Sequence, residues 1–92
     1  MTFESAAMAC RSVGAKLASP DQMNAAYLAG MNQCNCGWIN DRTARYPISR
    51  KEFLIWQCGG STPGVRHCGS NTNSKFDAYC YKPDLSGKWL TF

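Results

Sequence analysis

Six cysteines in 92 residues are the first chemistry this sequence offers. Thiols can hold a metal, act as nucleophiles or close disulfides, and their spacing separates the three. Cys34-Asn35-Cys36 sets two thiols closer than the usual C-x₂₋₄-C zinc knuckle, and Cys58 and Cys68 form no second knuckle. His67 is the sole histidine and stands next to Cys68. Adjacent side chains on an extended segment point to opposite faces, so these two cannot form a nucleophile–base pair. The six acidic residues show no evident pair of carboxylates for glycoside hydrolysis. The chain is therefore read as a non-enzyme, with no metal and no cofactor. Disulfides remain, because a domain this short builds only a marginal core and small extracellular domains replace the missing core with bridges. Six cysteines allow 15 pairings, and counting alone leaves all of them open.

Charge and composition narrow the partner. The net charge of +4 favours an anionic ligand, whether polysaccharide, nucleic acid or acidic protein surface. Nucleic acid is disfavoured, since there is no dense Lys/Arg stripe and no recognised module signature. With 45% hydrophobic and 17% charged residues the chain is globular rather than disordered. No apolar run approaches the roughly 20 residues that cross a bilayer, so no membrane insertion by this chain is expected. Met1 leads directly into Thr2-Phe3-Glu4 with no basic-then-apolar leader, which places any targeting sequence outside this chain.

The elements that must position these groups are legible in outline. Residues Thr2 to Gly14 read as a helix capped by Thr2, with Glu4 in the first turn, and Phe3, Ala6, Ala7, Cys10 and Val13 on one face. A second helix runs from Pro20 to Gly30, with Ser19 as cap and Gln22 placed three residues later as a capping box requires. After Gly37 short strands and loops take over. Gly37-Trp38-Ile39 is a strand signal, and Thr43 to Ile48 is a β run that Pro47 limits to an edge. Phe53-Leu54-Ile55-Trp56 is an apolar stretch, Gly59 to Gly64 a loop, and Val65 to Gly69 extended. Phe76 to Tyr81 alternates with period two. Helices first and strands after make an α+β domain with antiparallel pairing. Trp38, Phe3, Met23, Tyr79 and Tyr81 are assigned to its core.

Five stretches, in order, resemble the Link module family: Phe3-Glu4-Ser5-Ala6 running into Cys10, Cys34-Asn35-Cys36-Gly37-Trp38, Arg45-Tyr46-Pro47-Ile48, Pro63-Gly64-Val65 before Gly69, and Asp77-Ala78-Tyr79-Cys80-Tyr81. The resemblance implies a disulfide-stapled fold related to C-type lectins, with two helices and two small antiparallel sheets. It implies a module over residues 1–82 whose first strand is apparently absent, followed by an exit segment at 83–92. It implies the pairs Cys10–Cys80 and Cys34–Cys58. Cys36 and Cys68 are additional to the family's four cysteines and are expected to pair with each other.

The resemblance also implies a function: an extracellular module, secreted or on an ectodomain, that recognises hyaluronan in cell adhesion or matrix organisation. Such a site needs rings for sugar faces and Arg or Lys for carboxylates. Tyr46 matches a sugar-contacting tyrosine of the family, Arg45 and Arg42 flank it, and Arg66 and His67 fall on the strand lining the groove. One surface carrying Tyr46, Arg45 and Arg66, with Arg42 and His67 near it, is the expected site. Each has a plainer reading: Tyr46 packs an edge strand, and exposed arginines are usually solvated. Four positions depart from binders of the family. Cys68 and Gly60 stand where aromatics occur, Asn71 or a short deletion replaces a basic residue, and Cys36 occupies a position used for sugar contact in some members. A Cys36–Cys68 bridge would cross the groove. The alternative function is therefore a protein–protein interaction module that has lost hyaluronan binding.

Overall fold

The first helix begins where the sequence supplies its own cap. The Thr2 hydroxyl accepts the Ser5 N–H at 3.3 Å, and helix α1 runs over Phe3–Ser12. The computed structural model describes residues 1–33, 35–48, 64–83 and 87–92. Ala6 and Cys10 form the buried side of α1. The helix ends before the expected Gly14, because Gly14 itself has φ 76° and turns the chain out of helical space. Val13, expected on the core face, is instead the C-cap and stands 37% exposed.

Helix α2 spans Pro20–Leu28 and starts with a complete capping box. The Gln22 N–H donates to the Ser19 hydroxyl at 3.1 Å, and the Ser19 N–H donates to the Gln22 side-chain oxygen at 2.9 Å. Met23 is its buried residue, and Gly30, at φ 100°, turns the chain just beyond it.

Among the described residues there are six strands, one between the helices and five after them: β1 (Lys16–Leu17), β2 (Gly37–Trp38), β3 (Ala44–Ile48), β4 (Gly64–Gly69), β5 (Asp77–Lys82) and β6 (Lys88–Thr91). Their order is β1-β5-β2-β3-β4, with β6 also paired to β5. The two small sheets are thus joined through β5. It is antiparallel to β1 and β6 but parallel to β2, with Gly37 opposite Asp77 and Trp38 opposite Ala78. A parallel pair needs a long crossover, and β3 and β4 lie within it. Residues 83–92, read as an exit segment, contain β6: Leu90 lies opposite Cys80 and Trp89 opposite Tyr81, their rings 5.2 Å apart.

Period-two alternation gives the sheet two dressed faces. Ala78 and Cys80 of β5 turn toward α1, where they join Ala6, Cys10, Leu17, Trp38 and Ala44. Trp38 is flanked edge-on by Phe3 at 5.7 Å and Phe76 at 5.2 Å. The Cys10–Cys80 bridge runs through this core and closes a separation of 70 residues, worth about 4 kcal/mol in the chain-entropy picture. Tyr79 faces the other way with Ala18, Met23 and Ile39. Phe3 and Tyr81 are half-buried at the margins rather than fully enclosed. Gly37 is required where it stands, since any Cβ there would overlap the Tyr79 ring. Pro47, expected to mark an edge strand, sits in β3 between β2 and β4. It is tolerated because its carbonyl accepts the Gln33 N–H at 2.8 Å, so its imide nitrogen turns away from the β4 ladder. The expected Cys34–Cys58 pair, the Phe53–Trp56 stretch and Gly60 lie outside the described residues.

Tyr79 is fully buried and its hydroxyl donates to the Asn35 carbonyl at 2.6 Å. Burial first, and the charge of Asp77 second, push its phenol far above the usual tyrosine range. A raised folded-state value makes stability complete below the unfolded tyrosine pKa of about 10 and erodes it as pH climbs above that point. Denaturant melts of the wild type are expected to lose stability from about pH 10 upward, and Tyr79→Phe should flatten that alkaline limb. An unchanged limb in the variant would assign the loss to other groups.

Candidate functional site

The β3–β4 ladder decides which candidate side chains meet. Its register sets Tyr46 opposite Arg66 and Arg45 opposite His67. Directly opposed residues share a face, and neighbours along a strand do not. Tyr46 and Arg66 therefore share the face that Ala44 and Trp38 take on the α1 side, whereas Arg45 and His67 occupy the reverse. The single surface expected to carry Tyr46, Arg45 and Arg66 together is split in two. Tyr46 and Arg66 are half-buried and His67 is exposed.

Arg45 is also engaged locally. Its Nε donates to the Thr43 hydroxyl at 2.9 Å, and its Nη2 lies 3.6 Å from the Asp41 carboxylate. Asp41 in turn accepts the Thr43 N–H at 3.1 Å, which closes a small polar turn. Arg42 sits at the apex of that turn with φ 65°, its guanidinium 5.3 Å over the Phe3 ring. Arg42 lies outside β3, four positions before Tyr46, and packs on Phe3 of α1. The Arg42–Phe3 contact carries no local sequence signal, since 39 positions part the two residues.

The Cys36–Cys68 bridge borders Tyr46. Gly37 pairs with Arg45, so the preceding Cys36 falls alongside Tyr46 in the same register. On the other strand the partners jump from Gly69 at Ala44 to His67 at Arg45, which leaves Cys68 as the extra residue of a β-bulge. Strands β2 and β4 flank β3, and a flat sheet would hold them roughly 9.5 Å apart. The bridged Cα atoms are 6.2 Å apart, so the sheet curls over β3 at this point. Both sulfurs pack against the Trp38 core, and among the described residues no cysteine is free. The Asn35 amide donates to Asp77 at 2.6 Å, anchoring the segment just before the bridge. Asn35, which the sequence reading did not single out, thus fixes the approach to Cys36 from β5.

A phenol ring, a guanidinium and a covalently fixed edge lie together on this face. Among the described residues no three His, Cys, Asp or Glu side chains gather to hold a metal ion. No helix among them is long and apolar enough to cross a membrane.

Comparison with known sequences adds an independent line. The profile described as "Extracellular link domain" matches residues 1–81. The versican core proteins of Rattus norvegicus and Homo sapiens are each 40% identical over 88 residues, 95% of this chain. The chain spans about 3% of the length of those relatives.

The Cys36–Cys68 bridge closes a separation of 32 residues, for which the chain-entropy picture allows up to about 3.5 kcal/mol. The double variant Cys36→Ala/Cys68→Ala is expected to fold but to unfold at clearly lower denaturant, with the Cys10–Cys80 bridge intact by peptide mapping. A midpoint equal to wild type would show that curling the sheet costs as much as the cross-link contributes.

Proposed function

Because this chain belongs to the extracellular link domain family, we propose that it is an extracellular carbohydrate-binding module whose ligand is hyaluronan or a closely related anionic polysaccharide. The observation that supports this reading best is the cross-strand pairing of Tyr46 with Arg66 on one face, beside the Cys36–Cys68 bridge. Hyaluronan repeats one carboxylate per disaccharide between sugar faces that are apolar. The Tyr46 ring stacks on such a face, and the Arg66 guanidinium meets the carboxylate with charge-assisted hydrogen bonds. Cross-strand neighbours lie about 5.5 Å apart at their Cα atoms, a spacing at which ring and guanidinium serve one sugar and its acidic neighbour.

The bridge has a role in this reading. It replaces two side chains that could touch sugar with a rigid edge. A fixed edge lowers the ordering cost of binding, while fewer contacts lower its gain, and the sum is a weak site. Arg45, turned to the reverse face and held by Asp41 and Thr43, has no part in it, nor does His67.

Titration calorimetry with hyaluronan oligosaccharides on the fully oxidised domain tests the proposal. Tyr46→Phe should keep most of the affinity, because the stacking ring remains. Tyr46→Ala should lose about tenfold, roughly 1.4 kcal/mol. Arg66→Ala should weaken binding and flatten its salt dependence, since exposed charge pairs are screened over about 8 Å at physiological ionic strength. Absence of binding even at low salt would overturn the polysaccharide reading and leave the protein-interaction module as the better account.

A further inference from the structure

Strand β6 leaves one edge of the sheet open. Among the described residues it pairs with β5 alone, on the side of β5 opposite to β1 and β2. The hydrogen bonds fix which of its groups point outward. Phe92 and Ala78 exchange both of their backbone bonds, each at 2.9 Å. Antiparallel pairs alternate between bonded and non-bonded, so Leu90 with Cys80 and Lys88 with Lys82 also bond inward. The N–H and C=O groups of Trp89 and Thr91 are therefore turned away from β5, along the open edge.

That edge is complementary to itself. About a two-fold axis through Leu90, a second β6 lies antiparallel to the first, with Trp89 of each copy opposite Thr91 of the other. Both residues present outward groups, so the two pairs exchange four N–H···O=C bonds and satisfy all of them. A register shifted toward Gly87 does not match this, because Gly87, at φ 62°, leaves the extended conformation. Lys88, Leu90 and Phe92 share the face of Lys82, Cys80 and Ala78. In the symmetric register Leu90 meets Leu90, and Lys88 of each copy meets Phe92 of the other in a non-bonded pair, whose Cα atoms approach to about 4.5 Å. Lys88 is exposed and Phe92 is 42% exposed, so ammonium and ring are available to one another. A lysine on an edge strand ordinarily discourages pairing. Here it stands opposite a ring rather than another lysine.

We propose that β6 is a self-association edge, through which two copies of this chain pair antiparallel and join their sheets. The partner is a second copy because Lys88 and Phe92 complement each other only when the added strand is β6 itself. Two copies at a net charge of +4 repel, so salt favours the pair. Four backbone bonds over a small contact area make it a weak, transient contact, with a Kd of about 0.1 to 1 mM. Tyr46 and Arg66 stand on β3 and β4, at the other end of the strand order, and take no part in it.

Sedimentation velocity of the oxidised chain, from about 0.02 to 1 mM, tests the proposal together with residue-resolved amide exchange. A monomer–dimer equilibrium is expected, stronger at physiological than at low salt. Exchange at the Trp89 and Thr91 amides should slow as concentration rises, while Lys88 and Leu90, already bonded to β5, should not change. Thr91→Pro removes an outward donor and none that faces β5, and it should abolish the dimer. Phe92→Ala keeps every backbone group and should weaken association at least threefold, which serves as the test should the proline variant fail to fold. A wild type that stays monomeric at the highest concentration would overturn the proposal. So would a dimer whose Trp89 and Thr91 amides exchange as in the monomer, one that weakens as salt is added, or one that both variants form as readily as the wild type.

Discussion

Strand β5 carries Ala78 and Cys80 to one face of the sheet and Tyr79 to the other, and the remaining elements arrange themselves around that division. Cys80 ties the strand covalently to α1 through Cys10, while Tyr79 fills the opposite face and excludes any side chain at Gly37. Every strand but β3 and β4 pairs with β5 directly, and those two reach it through β2. A single covalent tether on a shared strand suits a domain too small to rely on its apolar core.

The same frame sets the terms for the binding face. Strand β4 is the outer strand on this side of the sheet, with residues half-buried or exposed, and the Cys36–Cys68 bridge ties it across β3 to the residue before β2. The bulge at Cys68 brings its sulfur to Cys36 across the intervening strand, at the expense of a flat sheet. Tyr46 and Arg66 are left beside a fixed edge, so the surface exchanges contact area for preorganisation.

Charge is distributed by the same geometry. Strand β3 leads from the Asp41–Arg42 turn at the α1 end to Tyr46 and Ile48 at the other. Arg11, Lys16 and Arg42 thus lie near Phe3, and Arg66 lies beside Tyr46. The Asp41–Arg45 pair contributes little to stability as an exposed ion pair.

Local chemistry was legible in the sequence wherever a few adjacent residues settle the outcome. Ser19, Pro20 and Gln22 specify the start of α2 by satisfying its open N–H groups within one turn, and the capping box forms as its spacing requires. The capped apolar-periodic segments and the period-two runs after them likewise carried the α+β class. Which candidate residues meet was not legible. Alternation alone says that Arg45 and Tyr46 point apart, as Arg66 and His67 do, but a one-residue slip of register would have joined Tyr46 to His67. That register depends on the bulge at Cys68, which is set by contacts across the sheet. The parallel pairing of β2 with β5, the recruitment of residues 88–91 as β6 and the seating of Arg42 on Phe3 were decided in the same way. Each joins residues far apart in the chain, and their energies exist only once the sheet has brought them together.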